Sequence, residues 1–445
     1  MVAPAIRRGR FFILLLIIIV ISVRIYPVKL VAKNSYYSHK FVYLNRVMQK
    51  LIINKNRVGP ILGRHPWVFQ GAIKHIPEGL SSGMPVALYD ERDGFLAQGY
   101  FNSYSQMAVR LWSWDENEKV DLDFFVKRVR SAYELRQKYV ESKQTDSYRL
   151  INSENDLLPG LIVDKYGDYL CVQFHNHGIE LWKMTIVDAL EKIIKPKGIF
   201  ERSDVGGRKE GETAGNAGII SGDVPDKIKI TENGFKFWVD VAHGQKTGFF
   251  LDQRDKRAAL QKYVDGKNVL NCFSYTGGFS VYALASGAKK VVSVDASAEA
   301  LELAEENIKL NGLNPKKCEF VCADVKDYLI GLEQKDPDIR EDFEVIILDP
   351  PAFVKDRRKI HEGLMGYKKI NEMAFRLLSS EGILVTASCS MHVSLTDFRY
   401  TVSEAAGRTR KTAQILETYT HGIDHPELVS FGEGEYLKCL FARVV

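Results

Sequence analysis

Two apolar runs in this chain end on reactive groups 40 residues apart. Phe-Glu-Val-Ile-Ile-Leu-Asp-Pro-Pro-Ala-Phe at 343–353 places a carboxylate, Asp349, before a stiff Pro-Pro turn. Gly-Ile-Leu-Val-Thr-Ala-Ser-Cys-Ser at 382–390 ends on a thiol, Cys389. In an open parallel sheet, ligands sit outside the carboxyl ends of the strands. If the two runs are neighbouring strands, an acid and a nucleophile face one crevice, as addition to an electron-poor ring requires. Pro350 keeps Asp349 away from helical angles, and neither proline donates a backbone N–H. A lone cysteine ending a strand is more often a small packing residue. The position of Cys389 between two serines, downstream of the Asp-Pro-Pro strand, favours the nucleophile, whereas Cys171, Cys272, Cys318, Cys322 and Cys439 read as packing.

A second constellation lies upstream. Asn268–Phe273 is an apolar strand running into Ser-Tyr-Thr-Gly-Gly-Phe-Ser at 274–280, and a helix starts by Val281. Such a strand–glycine turn–helix brings bare backbone to a ligand at a helix N-terminus. The pattern is not Gly-x-Gly-x-x-Gly, so it gives little support to a dinucleotide. Eighteen residues after Gly277, the strand Val291–Val294 ends in Asp295, an acid suited to paired ribose hydroxyls. A third strand, Glu319–Cys322, leads to Asp324, a carboxylate able to accept from an exocyclic amine. Each element alone has a plain structural reading as packing or helix cap. Their order and spacing describe a nucleoside-bearing cofactor, and S-adenosylmethionine fits best.

The elements that hold these residues fall into about three domains for 445 residues. Residues 48–120 are strand-rich and turn-punctuated, a small β-barrel. Residues 121–230 read as a central α/β domain, opened by a helix over 121–140 with Asp121 as cap and containing a Gly-rich loop over 203–223. From 231 to 445 a hairpin precedes alternating strands and helices, the signature of a doubly wound parallel sheet. Six cysteines without a Cys-x-x-Cys pair suit a reducing compartment with free thiols and argue against zinc.

The net charge of +5 misleads, because residues 1–47 hold eight Lys or Arg and no acid, which leaves −3 for the rest. Nucleic-acid affinity must therefore come from local patches. Within that leader, Phe11–Val23 is a nearly pure aliphatic run behind Arg7, Arg8 and Arg10. Thirteen helical residues span roughly 20 Å, short of a ~30 Å hydrocarbon core. A signal-like segment, a short membrane anchor and a start codon placed too far upstream compete. The last is favoured, since Met48 opens a plausible first strand and nothing after it looks exported. The cytoplasm is the expected location, with membrane contact only if residues 11–23 are an anchor.

With these residues in hand, the chain resembles the bacterial ribosomal RNA large-subunit methyltransferase I family. The resemblance rests on Arg-His-Pro-Trp-Val-Phe at 64–69, Leu-Pro-Gly-Leu-Ile-Val-Asp-Lys-Tyr-Gly-Asp-Tyr-Leu at 158–170 and Gly-Gln-Lys-Thr-Gly-Phe-Phe-Leu-Asp-Gln-Arg at 244–254. It extends to Asn-Cys-Phe-Ser-Tyr-Thr-Gly-Gly-Phe at 271–279, Asp-Pro-Pro-Ala-Phe at 349–353 and Ser-Cys-Ser at 388–390, and so covers the chain from Met48 onward. It implies an α/β fold class: a Rossmann-like class I methyltransferase domain preceded by a PUA barrel and a central α/β domain. It also implies formation of 5-methylcytosine in 23S ribosomal RNA. By that likeness Phe273, Ser274, Tyr275, Gly277, Gly278, Asp295 and Asp324 hold the cofactor, Asp349 borders it, Gln253 borders its amino-acid end, and Cys389 is the attacking cysteine.

The chemistry suits those groups. Carbon 5 of cytosine is a poor nucleophile until a thiolate adds at carbon 6, and an ordinary thiol is only a few per cent ionised at pH 7. Asp349, protonated when the base is bound, would hydrogen-bond N3 and offset charge on the ring. Water and Asp349 are the candidates for removing the carbon-5 proton. Arg64, Lys355, Arg357, Arg358 and Lys359 are the candidate phosphate contacts, the last four directly after the reactive turn. Phe353 reads equally as a stacking wall for an extruded base and as core, while Trp67 and Phe69 read as core by alternation. Two other functions are weighed: methylation of a guanine ring nitrogen, which needs no thiol, and a non-catalytic RNA-binding ribosome-assembly factor. A homodimer is left open.

Overall fold

The alternating apolar and amphipathic segments after residue 260 fold, in the computed structural model of the chain, as a seven-stranded sheet. The structure describes residues 48–204, 215–336 and 342–445. The leader, with the aliphatic run 11–23, lies outside them. Among the described residues no helix is long and apolar enough to cross a membrane.

Seven strands build this sheet: β1 (Asn268–Cys272), β2 (Lys290–Asp295), β3 (Cys318–Cys322), β4 (Phe343–Leu348), β5 (Leu378–Ser388), β6 (Ala413–Tyr419) and β7 (Lys438–Val444). Their spatial order is β3-β2-β1-β4-β5-β7-β6. β1 to β5 are parallel, and β7 enters antiparallel between β5 and β6. Helices α1 (Gly278–Ala285), α2 (Ala298–Leu310), α3 (Val325–Glu333), α4 (Ile360–Leu377) and α5 (Leu395–Arg408) accompany the strands. Covered strands need apolar residues at every position rather than alternately. Val345, Ile346, Ile347 and Leu348 of β4 accordingly bury side chains in two separate apolar clusters. β4 and β5 are direct neighbours, with Leu348 opposite Thr386. The ends of the two reactive runs therefore emerge side by side.

Upstream, Gln49–Ile52, Pro85–Tyr89, Phe95–Phe101, Val109–Ser113 and Trp67–Val68 form a five-stranded sheet in that order, around a core of its own. The helix Leu122–Tyr139 follows, capped as the sequence implies by Asp121, which accepts from the Phe124 N–H at 3.1 Å. A second five-stranded sheet runs Ala217–Gly222, Gly198–Arg202, Tyr169–Phe174, Leu161–Tyr166, Tyr148–Asn152. Its first strand corrects the sequence expectation of a loop over 203–223. Ala217–Gly222 pairs with Gly198–Arg202 as an edge strand, and an edge needs no apolar alternation to be held. Residues 205–214 of that expected loop lie outside the described residues. The hairpin Ile228–Glu232/Phe235–Val239 then leads into the large sheet.

Candidate active site

The turn after β1 is built from backbone conformations that side chains normally avoid. Phe273, Tyr275 and Gly277 have φ of 59°, 46° and 75°. For the two non-glycine residues this costs about 1–3 kcal/mol each, and it persists only where surroundings over-determine it. Here the Ser274 N–H donates to the Val294 carbonyl at 3.0 Å, and the Tyr275 N–H donates to Asp295 Oδ2 at 2.8 Å. The Tyr275 hydroxyl is locked between the Gln245 N–H and the Gly248 carbonyl. Gly277 is required twice, by its φ and because a Cβ would lie 2.8 Å from that of Ala304.

This turn fits S-adenosylmethionine. Buried hydroxyls of Ser274 and Thr276 have no protein partner, as expected of groups awaiting a polar ligand. Asp295 is half-buried; its two oxygens take the Tyr275 and Ser297 N–H groups and keep further lone pairs for ribose hydroxyls. Asp324 caps α3 through the Asp327 N–H and is exposed at the same sheet edge, so helix cap and amine acceptor are compatible. Gln253 reaches the other side: its Nε2 donates to Asp349 Oδ1 at 2.7 Å, and its buried Oε1 has no partner.

Asp349 and Cys389 converge. The Cys389 thiol is directed at the Pro350 carbonyl, Sγ to O 3.7 Å, and both reactive side chains are half-buried rather than sealed. Burial, reinforced by the Asp252 carboxylate, pushes the Asp349 carboxyl up to about 7, against the pull of Lys246, Lys256 and Arg257. Near neutrality it is thus divided between acid and carboxylate, as a donor to a ring nitrogen requires. Burial pushes the Cys389 thiol up to about 11; the Lys246 ammonium opposes this, while Asp349 and Asp252 add to it. Without substrate the thiol is therefore protonated, and forming the thiolate needs added positive charge.

Ser390 fixes the loop beyond the prolines. Its hydroxyl lies 2.8 Å from the Tyr367 hydroxyl and accepts the Val354 N–H at 3.1 Å. Phe353 packs on Tyr367 with ring centroids 4.7 Å apart, so its packing role is realised.

Of the basic candidates, Lys355, Arg357, Arg358 and Lys359 are exposed just after the turn, but Arg358 is engaged by Asp356 at 2.5 Å. Arg64 is remote in sequence and lies over the Trp114 ring at 5.2 Å. Trp67 is half-buried, bonded to Glu154 and packed on Phe431. Phe69 corrects the expectation of a core residue: it is 48% exposed and lines a cavity of about 350 Å³ with Arg57 and His65. The strand it was assigned to stops at Val68, so alternation no longer governs it.

Several neighbours of the site escaped sequence reasoning. Asp252 accepts from the Tyr436 hydroxyl at 2.6 Å, and the buried Lys256 donates to the Asp252 carbonyl. Burial alone would raise Asp252, but Lys246, His425 and Lys256 together hold it well below the usual carboxylate range. The loop between β6 and β7 ties the molecule together. Asp424 binds Arg254 at 2.7 Å and the Arg149 N–H, its carbonyl takes Arg136, and Phe431 packs against Trp67 at 4.7 Å. A lysine inside an apolar strand, Leu437-Lys438-Cys439-Leu440, was the one legible signal in this region.

Comparison with known proteins agrees with this geometry. The sequence profile of S-adenosylmethionine-dependent methyltransferases matches residues 208–427, and that of a PUA-like domain matches 51–114. A ribosomal RNA large subunit methyltransferase I of Tolumonas auensis is 42% identical over 395 residues, 88% of this chain and 98% of the relative. That of Erwinia tasmaniensis is 39% identical over 397 residues, 89% of this chain and 99% of the relative. A solved Streptococcus mutans structure, titled as a SAM-dependent methyltransferase, superposes with a TM-score of 0.76 at 25% identity, covering 89% of this chain and all of that one. A second, titled as a methyltransferase complexed with SAH, gives 0.78 at 24% identity with the same coverage. The chain belongs to the ribosomal RNA large subunit methyltransferase I family, and S-adenosylmethionine is its cofactor.

Proposed function

We propose that the protein methylates carbon 5 of a cytosine in large-subunit ribosomal RNA through a transient bond to Cys389. The observation that carries this reading is the convergence of a reachable thiol and a carboxyl poised near neutrality on one crevice beside the cofactor turn. The substrate class follows the names of the relatives. The target base leaves its helix, at a cost of a few kcal/mol, to enter the crevice.

The Cys389 thiolate adds to carbon 6, opening the 5,6 double bond, and protonated Asp349 donates to N3 where charge develops. Carbon 5 thereby becomes nucleophilic. The cofactor supplies an electrophilic methyl on a sulfonium. Gln253 orients Asp349, and the Pro-Pro turn keeps competing N–H donors away. Loss of the carbon-5 proton to water or to the Asp349 carboxylate re-forms the double bond and expels the thiolate, any proton taken by N3 leaves as the ring charge is withdrawn, and one proton is released per methyl transferred.

The test is bisulfite mapping of ribosomal RNA from cells with and without the protein, combined with trapping on RNA containing 5-fluorocytosine, whose carbon 5 cannot release a proton. One 5-methylcytosine should disappear from cells that lack the protein or carry only Cys389→Ala, and a denaturant-stable protein–RNA adduct should form with the parent protein but not with Cys389→Ala. Normal methylation by Cys389→Ala would remove the covalent mechanism. A missing methylguanine instead would move the assignment to the guanine-nitrogen chemistry, and an unchanged methylation pattern would favour the assembly factor.

A further inference from the structure

Lys438 opens β7 opposite Ser388 and is 1% exposed. Its ammonium donates to the Ser390 carbonyl at 3.1 Å and to the Tyr436 carbonyl at 3.3 Å. Among the described residues no carboxylate lies within ion-pair distance of it; Glu435 and Glu427 act on it only from farther away. Burying an ammonium is expensive unless it is paired. Two backbone carbonyls could be held at less cost by a neutral amide. A positive charge kept here is best explained by a negative one that forms only during the reaction. Cys389 is a group able to supply it: it sits between Ser388, which registers with Lys438, and Ser390, whose carbonyl Lys438 binds.

We infer that Lys438 is a positioning residue for methyl transfer, holding the strand end at Ser390 and offsetting the charge of the Cys389 thiolate from behind. The inference rests on the proposed role of Cys389. Burial lowers the Lys438 ammonium, whereas Glu435 and, after it, the Cys389 charge raise it, and a cation that the thiolate favours favours the thiolate in turn. The remaining charges facing Cys389 are Lys246 and Asp252 from the segment before α1 and Asp349 from the end of β4, with the Tyr367 phenol facing it from α4. Lys246 is exposed and rests on the Phe250 ring at 4.7 Å, whereas Lys438 is buried and held by two carbonyls.

The test reads the thiol directly and needs no RNA. The rate of Cys389 alkylation by iodoacetamide is followed from pH 7 to 10 by mass spectrometry of the Cys389 peptide, in the full chain and in Lys438→Gln and Lys438→Arg. Cys322, expected from the sequence to be a packing residue, is instead exposed where the edge strand β3 ends, and serves as an internal reference for reagent and pH. In the Gln variant, alkylation of Cys389 should slow about tenfold at pH 8, matching an upward shift of about one unit in the thiol, while Cys322 is unchanged. The Arg variant should keep a profile near that of the parent. Thermal melting reports whether each variant is folded. An unaltered profile in folded Lys438→Gln overturns the inference. If that variant does not fold, Lys438→Arg decides: a folded Arg variant with the parent's profile supports a charge requirement, and one with slowed alkylation overturns it. Failure of 5-methylcytosine mapping would instead strike the proposed function and leave this measurement standing.

Discussion

At the scale of single residues, Asp349 carries the sharpest prediction. Its carboxyl lies at about 7 in the folded protein against 3.8 when unperturbed, chiefly through burial. The native state therefore binds more protons than the unfolded chain between those values, and stability falls as pH rises through that interval. Asp349→Asn is neutral throughout and escapes the loss, while its Oδ1 can still accept from Gln253. In urea titrations its advantage over the parent should grow from pH 5 to pH 8, reaching roughly 2–4 kcal/mol. A constant difference across that range would contradict a buried, proton-holding carboxyl. Asp349 and Cys389 stand out in the sequence because each ends an apolar run, and the two strands that carry them lie side by side. That the Asp349 carboxyl is raised even without substrate was not legible there, since this comes chiefly from burial, with Asp252 adding to it, and both are set by the fold.

At the scale of elements, the strained turn after β1 does what a glycine-rich loop must, but with only one of its three left-handed positions filled by glycine. The strain at Phe273 and Tyr275 is held by the bonds from Ser274 to Val294 and from Tyr275 to Asp295. Gly277→Ala adds a Cβ both to a left-handed φ and to contact with α2. It should destabilise by about 2–4 kcal/mol and weaken S-adenosylmethionine binding at least about tenfold by calorimetry. Unchanged affinity would show that this turn does not cradle the cofactor. The parallel strands were readable because burial on both faces writes continuous apolar runs. The edge strand Ala217–Gly222 was not, because its glycines and exposed Ile219 mimic a loop.

At the scale of the whole molecule, the segment 420–437 does the joining, and nothing in its composition announced that. Asp424 is fully buried against Arg254, His425 and the Arg149 N–H, and His425 and Arg254 hold it far below the ordinary carboxylate range despite its burial. Asp424→Ala would strand the Arg254 guanidinium and should cost about 3–5 kcal/mol in chemical denaturation. A loss under about 1 kcal/mol would mean the join is held elsewhere. Sequence reading separates a barrel, a central α/β stretch and a methyltransferase stretch because each has its own pattern of periodicity. It missed what unites them, since long-range ion pairs leave no local spacing to read.

That joining segment also limits how the protein can be rebuilt. The stretch that gives Phe431 to the barrel tryptophan also delivers Tyr436 to Asp252 and, two residues later, Lys438 to the strand bearing the thiol. A barrel transplanted from a distant relative would arrive without the surface that seats Phe431, and the mismatch would be felt at the catalytic end. Chimeras that exchange the barrel should therefore carry residues 420–437 with it.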